Sequence, residues 1–180
     1  MDVKELRHTI DDFGKTMEII RRKSGTDADL TEPARAEMAF FGLYIIFDEG
    51  SFNEEELVII EEATGFKINR DHWNEVMELG RVDSEKNYLS QPPYTFTVMV
   101  DIDNALHEEG QERVAYNAAY EVYKALGEYL VNIKGFTDEK RQLKMLRFFE
   151  LTEKYRQENT KDEEQIVDPS KKGVQAPKKS

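Results

Sequence analysis

The stretch AYNAAYEVYKALGEYLVNIKGFTDEK, residues 115–140, decides the fold class. Ala115, Ala118, Ala119, Val122, Leu126, Tyr129, Leu130 and Ile133 recur at helical spacing and form one apolar stripe. Tyr116, Tyr120 and Tyr123 form a second. A surface helix needs one such stripe. Two stripes describe a helix covered from two sides, as at the centre of a bundle. Gly135 then ends the segment, and Thr137 is the expected N-cap of the next helix. Asp138 and Glu139 suit its first turn, where the helix dipole favours negative charge. Leu143, Leu146, Phe149 and Tyr155 run along that helix.

The rest of the chain reads the same way. Val3, Leu6, Ile10, Phe13, Met17 and Ile20 are spaced alternately three and four apart, an a/d seam that Gly25 can end. So short a seam either docks on its own domain or pairs with a partner helix, including that of a second copy. Thr31 is the expected N-cap of a second helix with Pro33 in its first turn. Ala36, Ala39, Phe40, Leu43 and Phe47 follow at helical spacing. Asn53 and Glu56 make a capping-box pair for a third helix, which Gly65 ends. Asn69 caps a further helix carrying Trp73, Val76 and Met77. Pro92-Pro93 forces a restart. Residues 94–109 alternate as a strand would at Phe96, Val98, Val100 and Ile102, yet Val98, Ile102, Ala105 and Leu106 also fit a helix. No other segment offers a strand to pair with, so this one is read as a helix. The expected architecture is all-α: a single bundle of about seven helices, with an N-terminal amphipathic helix at 1–25 and a helical domain at 30–158. Residues 159–180 hold one Ile, two Val and no aromatic residue, the composition of a disordered tail.

Composition narrows the function. The 180 residues include no cysteine, which removes disulfides, thiol catalysis and zinc–thiolate sites. No apolar run is long enough to span a bilayer, so no membrane insertion is expected. The N-terminus has no secretory signature, and a cytoplasmic location follows as an expectation. A net charge of −12 disfavours nucleic acid as a partner. Residues 48–62 hold seven acids and no base. Such a run reads first as a solvated helix face.

Two stretches echo one another. In FGLYIIFDEGSFNEEELVII, Gly42, Tyr44 and Gly50 stand at spacings of two and six; in LGEYLVNIKGFTDEKRQLKML, Gly127, Tyr129 and Gly135 repeat them. Each final glycine is followed by Phe, a small polar residue, acids and a new helix. The echo suggests two pseudo-repeated helix–turn–helix halves. EGSFNEEE also resembles the turn of the TerB-like, tellurite-resistance-associated helical proteins, whose pattern reads roughly Asp-Gly-x-apolar-x-x-x-Glu. Glu49 takes the Asp position, and Gly50, Phe52 and Glu56 fall in place. The resemblance implies an all-α bundle, bacterial and cytoplasmic, linked to stress response or phage defence, with a divalent-metal role for its acids. The chain departs from that pattern at Glu49, and again at Lys134, which stands where the second half would carry its acid.

Candidate sites follow. Asp48, Glu49 and Glu56 are the candidate ligands of a weak divalent cation, the only cofactor considered. An EF-hand is excluded, because counting back from Gly50 puts Ile45 at the first ligand position. Asp101, Asp103, His107 and Glu108 form a second, looser metal candidate. Asp48, Glu49, Glu54, Glu55, Tyr116, Tyr120 and Tyr123 are candidate partner-binding residues. No phosphate loop, nucleophile elbow or paired-histidine motif occurs, so no enzyme is expected. The leading expectation is a non-catalytic acidic interaction module with a protein partner. The alternative is a metal- or small-ligand-binding protein using the turn at 48–56.

Overall fold

A computed structural model describes residues 1–25, 29–47, 53–71 and 89–161. Among these residues the protein is all-helical: α1 (Val3–Ser24), α2 (Thr31–Ile46), α3 (Glu54–Thr64), α4 (Tyr94–Glu108), α5 (Ala115–Val131) and α6 (Glu139–Asn159). The expected seventh helix, with Trp73, Val76 and Met77, lies outside the described residues. Its expected cap is inside them, where the Asn69 side chain accepts from the Asp71 N–H at 3.1 Å. The segment at 94–109 is helical, as its lack of a strand partner requires.

The local signals for starts and stops are met in part. Asp2 and Glu5 close a capping box on α1, and Gly25 ends that helix in the left-handed region at φ 69°. Asn53 caps α3, and Gly65 ends it at φ 73°. Two expected caps are corrected. Thr31 is already helical, and the Asp29 carboxylate accepts its N–H at 2.9 Å. Asp138, not Thr137, caps α6 by accepting from the Arg141 N–H. An aspartate within one or two residues out-competes a threonine for these amides, because its carboxylate is the stronger acceptor.

α5 lies at the centre, packing on α1, α2, α4 and α6. Its two stripes explain this position. Ala115, Ala119, Val122, Leu126 and Leu130 are buried, and so are Tyr116 and Tyr123. Phe41 of α2, Phe96 of α4, Tyr123 of α5 and Phe148 of α6 are all fully buried and meet ring to ring. Phe41 sits 4.4 Å from Phe148 and Phe96 sits 5.0 Å from Tyr123, centroid to centroid. The N-terminal seam is consumed inside the chain: Leu6, Ile10, Phe13, Met17 and Ile20 are buried against the shared core. α1 is therefore part of the bundle, and of the two expectations for its seam the structure shows docking on its own domain. Leu143 and Leu146 are corrected the other way. Both are about half exposed, while Phe148 and Phe149 face inward from α6.

Two glycines set close helix crossings. A Cβ on Gly42 would lie 3.0 Å from Ile60 of α3. A Cβ on Gly127 would lie 2.7 Å from the Met145 Sδ of α6 and 3.2 Å from the Phe41 ring. The absent side chains let α2 meet α3, and α5 meet α6, at short range.

Emptying the aromatic centre should be costly. Phe41→Ala is expected to lower unfolding free energy by about 3–5 kcal/mol, the range for a buried Phe truncation. Urea denaturation followed by circular dichroism reads it, and a loss under 1 kcal/mol would mean the rings do not form the centre of the fold.

Candidate functional site

The described part of the acidic run, Glu54 to Glu62, lies on α3, whose first turn sits beside the first turn of α6. Asp48, Glu49, Gly50 and Phe52 lie outside the described residues. The acids that follow them are resolved individually. Glu54 accepts from Arg70 at 2.8 Å, and Glu61 takes the same guanidinium at 2.7 Å. Glu61 also accepts from the Ile68 N–H at 2.8 Å. Arg70, first, and then the Ile68 amide hold the Glu61 carboxyl below its usual 4.5, against the opposing effect of burial. Arg70 thus folds the segment after Gly65 back along α3.

Glu56 has another partner. It is buried, and both its oxygens accept from Nη2 of Arg141 on α6, at 3.0 and 2.9 Å. Arg141 is equally buried. Its Nη1 donates to the Leu130 carbonyl at 3.1 Å, and its Nε lies 3.6 Å from Asp138. Leu130 is in the last turn of α5, where carbonyls lack helical donors. One guanidinium therefore neutralises a buried carboxylate and caps a helix. This corrects two readings of Glu56. It does not close a capping box on Asn53, and its oxygens are committed to a guanidinium rather than open to a cation.

A second base closes the neighbouring helix. Lys144 Nζ donates to the Tyr44 carbonyl at 3.1 Å and to the Phe47 carbonyl. It also lies 5.6 Å from the Tyr44 ring centroid. A cation at a helix C-terminus is favoured by the dipole, so α2 carries its own internal base at the end that leads into Asp48 and Glu49. Lys134, the base expected to stand opposite them in the echo, lies 3.7 Å from Asp138.

The tyrosines are not a surface. Tyr123 is fully buried and Tyr116 is nearly so, its hydroxyl donating to Thr152 at 3.3 Å. Burial, first, pushes the Tyr116 hydroxyl up to about 12 despite that hydrogen bond. Tyr120 is half-buried, with its ring 4.6 Å from that of Phe149. The partner role expected for Tyr116 and Tyr123 is corrected: a helix covered on two sides has no stripe left to offer.

The second metal candidate also dissolves into structure. Asp103 is buried and accepts from the Ala115 and Tyr116 N–H groups at 2.7 and 3.0 Å, capping α5 from α4. Glu108 pairs with Lys161 at 2.8 Å. Among the described residues no three His, Asp or Glu side chains gather as a cation site.

Sequence reasoning missed the interhelical caps. Glu37 of α2 accepts from the Tyr94 and Thr95 N–H groups, both at 2.7 Å, and so caps α4. Asn104 of α4 donates to the Asn159 carbonyl and accepts from the Lys161 N–H, both at 2.9 Å, fixing the end of α6. The chain is thus still docked at Lys161, beyond the expected tail boundary at 159. Pro93 and Val114 offer no side-chain cap to their own helices, and that is the one local sign that a distant acid is needed.

What remains on α3 is an exposed face. Glu55 and Glu62 are exposed, and Val58 between them is 48% exposed. Residues three and four apart share a helix face. Among the described residues no helix is long and apolar enough to cross a membrane.

Acid should weaken this pole with a definite sign. Glu61 has a lowered folded-state pKa, so its contribution is present above 4.5 and is lost as pH falls through the folded value. Unfolding free energy should therefore decline as pH drops below about 4.5. Glu61→Gln should be less stable at neutral pH and show a shallower acid limb. Equal acid limbs in the two proteins would show that the Arg70 clasp contributes nothing.

No protein-family model, no curated protein and no solved structure matches this chain.

Proposed function

We propose that this protein is a non-catalytic interaction module that presents an acidic helix face to a cationic protein partner. The observation that carries this reading is the outer row of α3, where Val58 is exposed between Glu55 and Glu62. An apolar residue framed by like charges is the arrangement of a surface that selects a basic, partly apolar ligand. Glu54, Glu56 and Glu61 are taken up by Arg70 and Arg141, so the partner would meet Glu55 and Glu62 together with Asp48 and Glu49. The resemblance of EGSFNEEE to the TerB-like turn supports a bacterial, cytoplasmic setting in stress response or phage defence. Metal binding at Asp48 and Glu49 is the second reading. It has lost Glu56 as a ligand, and the Lys144 ammonium already supplies positive charge at the end of α2.

We infer further that the bundle is two related halves, α1–α3 and α4–α6. Glu56 and Arg141 are 85 residues apart. At the same offset, Asn53 and Asp138 are both N-caps, and the bounds of α2 and α5 agree within one residue. Gly42 over Ile60 recurs as Gly127 over Met145. In a two-fold arrangement only a residue near the axis touches its own counterpart, which is what Glu56 and Arg141 do.

The test combines capture and calorimetry. Asp48→Asn, Glu49→Gln and Glu55→Gln, made together, should leave the helical spectrum intact and abolish capture of partners that wild type retains from the native host. Titration with Ca²⁺, Mg²⁺ or Mn²⁺ should show weak binding only. Unchanged capture would sink the module reading. Sub-micromolar cation binding lost in the triple variant would establish the metal reading in its place.

A further inference from the structure

Val58 differs from every other exposed large apolar side chain among the described residues. Its helix neighbours three and four residues away on both sides, Glu54, Glu55, Glu61 and Glu62, are all acids. Arg70 pairs with Glu54 and Glu61, and Lys67 stands 4.0 Å from Glu61. Among the described residues no base pairs with Glu55 or Glu62, and both are exposed. The sequence holds bases that could. Residues 162–170 carry four acids and no base, and residues 171–180 carry Lys171, Lys172, Lys178 and Lys179 and no acid. Val174 stands between the two lysine pairs. The start of this segment is fixed. Asn104, itself buried, donates to the Asn159 carbonyl and accepts from the Lys161 N–H; Arg113 donates to the Lys161 carbonyl, and Lys161 Nζ lies 2.8 Å from Glu108. From Arg141, which holds Glu56 in the first turn of α3, α6 runs about 27 Å to Asn159. Lys178 stands 17 residues beyond Lys161, a reach of up to about 56 Å.

We propose that residues 171–180 dock on the outer row of α3 in the same molecule, with lysines against Glu55 and Glu62 and Val174 toward Val58. The chain then covers its own acidic face. Charge complementarity selects this occupant: the lysines are drawn to the row, while the acids of 162–170 are repelled by it and act as the spacer that the distance requires. Exposed ion pairs are individually weak and are screened by salt. A tether offsets this, because it holds the lysines near α3 at an effective concentration on the order of millimolar. A second copy, with a net charge of −12, is repelled by the first and has no such tether, so the contact within one molecule is favoured. A cationic partner competes with the lysines for the same carboxylates, which makes the contact autoinhibitory. The inhibitory role rests on the interaction-module reading; the contact itself does not.

A nitroxide on the full chain tests the contact, and the absence of cysteine means that one introduced thiol takes the label alone. With Ser180→Cys labelled, the amide resonances of Glu55, Val58 and Glu62 should broaden more than those of Glu32 and Glu121, exposed acids on other helices. The excess should vanish at about 1 M salt, where charges are screened beyond about 3 Å. It should also vanish in a labelled chain carrying Glu55→Gln and Glu62→Gln. No broadening on α3, or equal broadening at Glu32 and Glu121, overturns the proposal. So does broadening of an isotope-labelled copy by a separate spin-labelled copy to the same extent, because the contact would then lie between molecules. Competition is read with a synthetic peptide of residues 170–180. It should shift the Glu55, Val58 and Glu62 resonances at a several-fold lower concentration in a chain carrying Lys171→Gln, Lys172→Gln, Lys178→Gln and Lys179→Gln than in wild type. Equal titrations, or none in either chain, would show that the face is not covered. These signals are read with no partner present, so they stand or fall separately from the capture experiment that decides the module reading.

Discussion

A carboxylate and a guanidinium with almost no solvent contact, Glu56 and Arg141, fix how α3 and α6 meet. Taking two charges out of water costs several kcal/mol per ion, and their attraction offsets this only when geometry and further hydrogen bonds are good. Here they are. Glu56 receives two N–H donors and Arg141 also serves the Leu130 carbonyl. The pair ties the first turn of α3 to the first turn of α6 and to the last turn of α5. A different register of α6 would strand both charges in the core. Buried leucines and phenylalanines tolerate such a slip more readily than an ion pair does.

The same logic recurs at other helix ends. Glu37 on α2 starts α4, Asp103 on α4 starts α5, Lys144 on α6 ends α2, and Asn104 on α4 ends α6. Helix termini leave amide and carbonyl groups without partners, and burying them bare is costly. In this bundle a neighbouring helix supplies the missing group. Each such contact joins two elements and satisfies a terminus at once, so helix packing and helix length are set together. Asp103, a metal candidate in the sequence, is used this way, and Glu56 is held by a guanidinium that also serves a helix end. On α3, Val58 remains exposed between Glu55 and Glu62.

Periodicity made the helices legible, including the ambiguous one at residues 94–109. Caps within three residues were legible where one candidate stood alone, as at Asn53. They were misassigned where a threonine stood near a stronger carboxylate, as at Thr31 beside Asp29 and Thr137 beside Asp138. The double stripe on α5 placed that helix at the centre, and that placement already implied that Tyr116 and Tyr123 would be inside. Glu56 was not legible. Its spacing from Asn53 satisfies a capping box, and nothing local reveals a partner 85 residues away. Asp103, Glu37 and Lys144 were hidden for the same reason: a side chain that serves another helix carries no signature in its own. The echo of Gly42 and Gly127 was legible, and it falls where helices cross at short range.

The most direct measurement is a double-mutant cycle on Glu56 and Arg141, read as unfolding free energy for Glu56→Gln, Arg141→Met and the two combined. The account predicts that each single change costs about 3–5 kcal/mol, because each leaves a buried partner without its counter-charge or donors. It predicts that the combined variant is much less destabilised than the sum, with a coupling of at least about 1 kcal/mol. Additive losses would contradict it, because they would mean that the two side chains stabilise the fold independently and that the junction is held by something else.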